Sequence, residues 1–145
     1  MDLTHAQISE IANSVRSKKV SAVEVTKHFL GRIEKIDKQL NSFITVNAQA
    51  LEEAKKVDAE VALGKDPGLL AGVPIAVKDL LCTEGLKTTA ASKILANFIP
   101  PYDASVVARL RKHGAIVIGK TNLDEFAMGS SNETSAFGNV KNPWN

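Results

Sequence analysis

At 145 residues the chain has the length of one ordinary domain, and its apolar content of 44% is enough for a buried core. Aromatic residues make up 5%, so that core must rest on Ile, Val, Leu and Ala. The formal charge of +2 is spread without a basic block, which excludes an electrostatic footprint for nucleic acid or an anionic membrane. A single cysteine, Cys82, excludes a disulfide framework or a cysteine-based zinc site within the chain.

The opening MDLTHAQISEI has no basic stretch followed by an apolar run, so no secretory signal is expected, and runs such as AIVI and PIAV are too short to span a bilayer. A cytoplasmic protein is the expectation. Thr4 to Gln7 reads as a capping box opening a short helix with Ile8, Ile11 and Val15 on one face. Ser21 to Glu24 is a second box, ahead of a longer helix on which Val25, Phe29, Ile33, Ile36 and Leu40 recur at three- and four-residue steps. Residues 41–46, NSFITV, read as a strand, and 48–63 as an alanine-rich helix whose apolar face is Leu51, Ala54, Val57 and Val61. Gly64 and the Asp-Pro-Gly at 66–68 end it in a turn.

From there the texture changes. Pro74 to Val77 is a short apolar strand carrying Lys78-Asp79 at its end, and CTEGLKTTAAS is loop-like. Pro100-Pro101 breaks the chain, Asp103 is expected to cap a helix reaching Arg111 or Lys112, and Gly114 to stop it. Ala115 to Ile118 reads as a second buried strand, with Thr121 or Asn122 capping a helix through Phe126. Strand, helix, strand, helix argues for a layered α/β arrangement. The chain divides into a helical segment of about residues 1–65 and the start of an α/β core from about 70 to 145. It stops just after an exposed-looking Pro-Trp, which suggests a truncated domain.

Gly114 to Thr121, GAIVIGKT, spells the phosphate-binding loop of nucleotide hydrolases. A phosphate loop needs its strand before the first glycine and wraps the anion with the backbone N–H groups that follow. Here three of the four intervening residues are β-branched, poor at tight turns and good in strands, and RLRKH before Gly114 is amphipathic helix. The strand therefore lies inside the pattern, and Lys120 is expected in a loop or at a helix start.

Three other features could carry chemistry. Cys82, beside Leu80-Leu81, reads as a small packing residue, and the three histidines form no ligand cluster. MGSSNETSAFG (128–138) offers small hydroxyls between glycines, which can bind an amide or simply form a polar loop. Lys78 follows a strand of apolar residues, where desolvation would lower its pKa and make it a general base, although a strand-end lysine more often reaches water.

GVPIAVKD (72–79), PPYDASVV (100–107), GAIVIGKTNLDEFAMGSS (114–131) and SAFGNVKNPW (135–144) together closely resemble the amidase signature family. The GKTNLDEFAMGSSNETSAFG run, with the helical opening, is most similar to the branch of glutaminase subunits serving glutamyl-tRNA(Gln)/aspartyl-tRNA(Asn) amidotransferases. The resemblance implies an amidase signature fold, a central mixed sheet flanked by helices, of which this is the N-terminal portion. It implies hydrolysis of glutamine by a Ser–Ser–Lys triad, with Lys78 as general base and charge relay, and Met128, Gly129, Ser130 and Ser131 as substrate-pocket residues. The family's bridging and nucleophilic serines follow the Asn-Pro-Trp, beyond Asn145, so the chain alone is expected to be inactive. The expected partners are B and C subunits in a heterotrimer, with misacylated tRNA reached through the complex. No cofactor or metal is expected in this chain, ATP and Mg being used by the B subunit. A stand-alone amidase of the same family acting on small aliphatic or aryl amides is the alternative, and a non-catalytic subunit-docking module the other.

Overall fold

The computed structural model describes residues 2–144. Its regular elements are helices α1 (Ile8–Arg16) and α2 (Ala22–Leu40), strand β1 (Phe43–Val46), helix α3 (Ala50–Ala62), strand β2 (Pro74–Lys78), helix α4 (Ser105–Lys112) and strand β3 (Ile116–Thr121). The strands form one mixed sheet in the order β1-β3-β2, with β1 antiparallel and β2 parallel to the central β3.

The helical layer forms as its pattern requires. Ser21 accepts from Glu24 N at 3.0 Å, and the Glu24 carboxylate takes Ser21 N at 2.8 Å. A second set of acceptors comes from outside the helix: the Asp58 carboxylate of α3 takes Ala22 N at 2.6 Å and Val23 N at 3.1 Å. Ile11, Val15, Val25, Ala54, Val57 and Val61 bury against Ile116 and Ile118 of the sheet to form the main core. A second, smaller cluster of Val77, Leu86, Val107 and Val117 fills the opposite face under α4.

Several local expectations change. The first helix starts one turn later than a Thr4 box would place it: Gln7 N is held by the Glu10 carboxylate at 2.8 Å, while the Thr4 hydroxyl pairs with His28 Nε2 at 3.1 Å. Ile8 is consequently 57% exposed and off the buried face. Asp103 does not cap α4, whose N-cap position is Ala104; its carboxylate instead takes Glu84 N at 2.7 Å and faces Arg111 at 3.3 Å. No α-helix follows β3 among the described residues. Asn122 Oδ1 accepts from Leu123 N at 2.9 Å and from the Ser135 hydroxyl at 2.6 Å rather than capping, and only a 3-10 turn, Glu125–Ala127, forms.

The largest correction concerns Lys120, which is a strand residue and wholly buried. The cause is a bulge. Ile75 pairs with Val117 but Ala76 pairs with Gly119, so Ile118 is the extra residue on β3. Strict alternation from Val117 would point Gly119 and Thr121 at the α4 face; the bulge brings Lys120 there instead, opposite Val77. Asn47 satisfies the bulged backbone, giving its N–H to Ile118 O at 3.0 Å and its amide to Val117 O at 2.7 Å. Gly119 is required at this point, since a Cβ would come within 2.6 Å of Thr45 O and 2.8 Å of the Phe43 ring. GAIVIGKT thus spans a helix stop at Gly114 (φ +82°) and a strand, with its lysine turned inward.

Candidate active site

In sheets with parallel strands, ligands bind outside the strands' carboxyl ends, where the connecting loops diverge. Here that end is marked by Lys78 on β2 and Thr121 on β3, which are register partners. The segments leaving them, from 79 and from 122, are sewn together by backbone: Asp79 N to Thr121 O at 3.0 Å, Ala90 N to Asp79 O at 2.9 Å, Phe126 N to Ala90 O at 2.9 Å and Ala136 N to Ala91 O at 2.9 Å. Ala90, Ala91, Phe126 and Ala127 all have φ between +49° and +60°. Left-handed backbone at non-glycine residues costs of order 1–3 kcal/mol each and persists where the surroundings impose it, most often at functional sites.

Val77 points into the cluster under α4, so alternation sends Lys78 to the other face, where it is exposed. Its carbonyl accepts from Leu81 N at 3.0 Å, closing the turn out of β2. Its side chain makes no hydrogen bond or ion pair among the described residues. The amine is therefore free for a partner.

Asp79 and Lys120 behave oppositely, both having no exposed side-chain surface. The Lys120 ammonium donates to Leu81 O at 2.8 Å and to the Thr88 hydroxyl at 2.7 Å, and lies 3.3 Å from Asp79 Oδ1. That last distance is an ion pair without hydrogen-bond geometry, and Oδ1 has no other partner among the described residues. Asp79 Oδ2 takes Thr89 N at 2.9 Å and the Thr89 hydroxyl at 2.5 Å. Burial pulls the Lys120 pKa below its ordinary value, and the Asp79 carboxylate opposes that pull.

The loop holding the predicted pocket residues is organised by Asp124. Its carboxylate accepts from Asn132 N at 2.8 Å, Thr134 N at 3.2 Å and the Thr134 hydroxyl at 2.9 Å. These bonds, the one from Asn132 N foremost, hold its pKa below the usual aspartate value. Asn122 fastens the same loop from the strand end, giving its amide to Asn41 O at 3.1 Å and Gly138 O at 2.9 Å. Met128, Gly129, Ser130 and Ser131 lie at this end of the sheet, with Met128 81% exposed. Ser131 donates to Glu133 at 2.7 Å, and a Cβ on Gly129 would meet the Asp124 carboxylate at 2.5 Å.

Sequence reasoning singled out Lys78 and the 128–131 stretch and passed over Asp79, Lys120, Asn122 and Asp124, which organise the same end of the sheet. The available signal was their polarity beside strand residues: VKD and GKTNLD place charges where a strand meets a loop. Cys82 is half-buried, 3.8 Å from the Tyr102 hydroxyl. A cleft of about 460 Å³ between α3 and α4 lies at the amino end of β3, away from these loops, and its Arg111 is already paired with Glu53 and Asp103.

Comparison with known proteins agrees with this fold. The chain is 61% identical over 144 residues to the A subunit of the glutamyl-tRNA(Gln) amidotransferase of Bdellovibrio bacteriovorus, covering 99% of this chain and 29% of that one. The corresponding protein of a Marinomonas species is 56% identical, covering 95% and 28%. The chain thus spans about three-tenths of the length of these relatives. Among solved structures, the native peptide amidase of Stenotrophomonas maltophilia superposes with a TM-score of 0.91 at 32% identity, covering 99% of this chain and 31% of that one. The A subunit of the glutamyl-tRNA(Gln) amidotransferase of Thermotoga maritima gives 0.73 at 33%, covering 99% and 28%. Residues 24–145 match the Amidase family, and the chain belongs to it.

Proposed function

We propose that this chain supplies the general base of an amide-hydrolysing site in the glutaminase component of a tRNA-dependent amidotransferase, a cytoplasmic enzyme. The observation that carries the reading is the contrast between two lysines at the carboxyl end of the β2/β3 pair. Lys120 is committed to three oxygens, whereas Lys78 ends its strand exposed and with no partner among the described residues. In the proposed reaction the neutral Lys78 amine takes the proton of a bridging serine, which takes that of the nucleophilic serine as it attacks the glutamine carboxamide. The proton then passes back along the same path to the leaving nitrogen, so that ammonia departs. Water gives a proton to the same base as it attacks the acyl-serine, and that proton returns to the serine oxygen as glutamate leaves. Both serines would come from chain following residue 145 in a protein of the relatives' length. Met128 to Ser131 would line the substrate pocket, and the ammonia would pass to a B subunit that uses ATP and Mg, with a C subunit joining the two.

The test is Lys78→Ala in the full-length enzyme assembled with its partners. Loss of a general base is expected to lower glutamine hydrolysis by about 10²–10⁴-fold. Unchanged ammonia release would remove Lys78 from the mechanism and leave the docking-module reading. Residues 1–145 alone are expected to turn over no glutamine, and measurable turnover would contradict the division of the triad.

A stand-alone amidase is the second reading, favoured by the closer superposition on the peptide amidase. Identity of 61% to an amidotransferase component, compared with 32% to the peptide amidase, weighs the other way. Co-purification of the full-length protein with B and C subunits separates the two.

A further inference from the structure

Lys120 is costly where it sits. Taking an ammonium and a carboxylate out of water costs several kcal/mol, and well-packed apolar residues in place of a buried ion pair are often as stable or more so. The neighbours of Lys120 on this face, Val77 and Val117, show what an ordinary strand residue here would be. What the ammonium does instead is donate to Leu81 O and the Thr88 hydroxyl and lie at ion-pair distance from Asp79 Oδ1, all three oxygens coming from the segment that follows Lys78. Leu81 is the residue whose N–H closes the turn on the Lys78 carbonyl, so Lys120 grips that turn from behind.

We infer that Lys120 is a positioning residue for Lys78, fixing the turn that follows it and cancelling the charge of the adjacent Asp79 carboxylate. The inference rests on Lys78 being the general base. A base must lose its proton to act, and an uncompensated carboxylate one residue away would stabilise the ammonium form instead. The other charged or titratable groups around the pair do not replace this compensation. Asp103, ahead of α4, is paired with Arg111 at 3.3 Å, and Cys82 contacts Tyr102. On β3 the residue beside Lys78 is the uncharged Thr121.

The test is the pH dependence of kcat/KM for glutamine hydrolysis by the full-length enzyme, comparing Lys120→Met, Asp79→Asn, the double variant and Lys78→Ala. Lys120→Met leaves Asp79 uncompensated and is expected to move the acid limb up by about one pH unit, about a tenfold loss on that slope. Asp79→Asn leaves Lys120 uncompensated and should move it down, while the double variant returns it to the wild-type position. A merely structural role would lower activity without reversing sign. Shifts in the same direction, or none, would overturn the inference. If Lys120→Met does not fold, Asp79→Asn decides alone: it keeps an acceptor for Thr89, and an unmoved limb sinks the idea. Retained activity in Lys78→Ala would instead remove the reading of Lys78 as base on which the inference stands.

Discussion

The two faces of the sheet are built by different physics. On one face α1, α2 and α3 press aliphatic side chains onto Ile116 and Ile118, and the cluster continues through thirteen buried residues, none of them charged. On the other, and around the carboxyl ends of β2 and β3, four buried apolar residues share the space with Asp79, Lys120, Thr83, Thr88, Thr89 and Asp124. The first region derives its stability from area removed from water, a non-directional force tolerant of detail. The second is held by hydrogen bonds that each demand one geometry, and it carries the strained backbone at 90–91 and 126–127. The helical face supplies the rigidity against which a polar, positioned site can be held.

Substitutions in the helical layer should therefore act on global stability. Ile116→Ala, in a wholly buried position, is expected to cost about 2–5 kcal/mol, read as a lowered denaturant midpoint with the slope retained. A cost below about 1 kcal/mol would mean that the two faces are not divided as described. Asp58→Ala is next: it strips two charge-assisted acceptors from the first turn of α2 and should cost about 1.5–3 kcal/mol. Ser21→Ala, which removes only one of the acceptors at that helix start, is expected to cost about 1 kcal/mol. If Ser21→Ala proves the more damaging of the two, α3 does not brace α2 through Asp58.

The same division decides what could be read from the sequence. Both long helices, the turn at 64–68 and strands β1 and β2 follow from apolar periodicity and glycine or proline punctuation, which report non-directional burial. Ser21–Glu24 was legible because a capping box is local. Asp58 as a cap was not, since it arrives from another helix thirty-six residues away. Lys120 was misread for a related reason: a single-residue bulge at Ile118 reverses which face it occupies, and that bulge depends on β1, β2 and Asn47 at once. Lys78 is singled out in the sequence by its place after an apolar strand and by family resemblance. The residues that hold the loops around it, Asp79, Asn122 and Asp124, make contacts that no spacing in the sequence encodes.

The loop around Asp124 offers the smallest and most local effect. Its carboxylate pKa lies below the ordinary aspartate value because loop N–H groups and the Thr134 hydroxyl bind the ionised form. A depressed folded-state pKa contributes order that is fully present above the unfolded value of about 3.9 and is lost as pH falls through the folded pKa. The amides of Asn132 and Thr134 should stay protected from hydrogen exchange at about pH 5–7, once intrinsic exchange rates are accounted for, and lose protection only in stronger acid. The Ile116 and Ile118 amides should keep theirs over the same range, because the thirteen buried residues of their cluster carry no ionisable side chain. Asp124→Asn should leave the global midpoint nearly unchanged while abolishing the acid dependence of protection at Asn132 and Thr134. Protection lost in parallel at Ile116 and Asn132 would show one cooperative unit, and the polar end of the sheet would not be separable from the core beneath it.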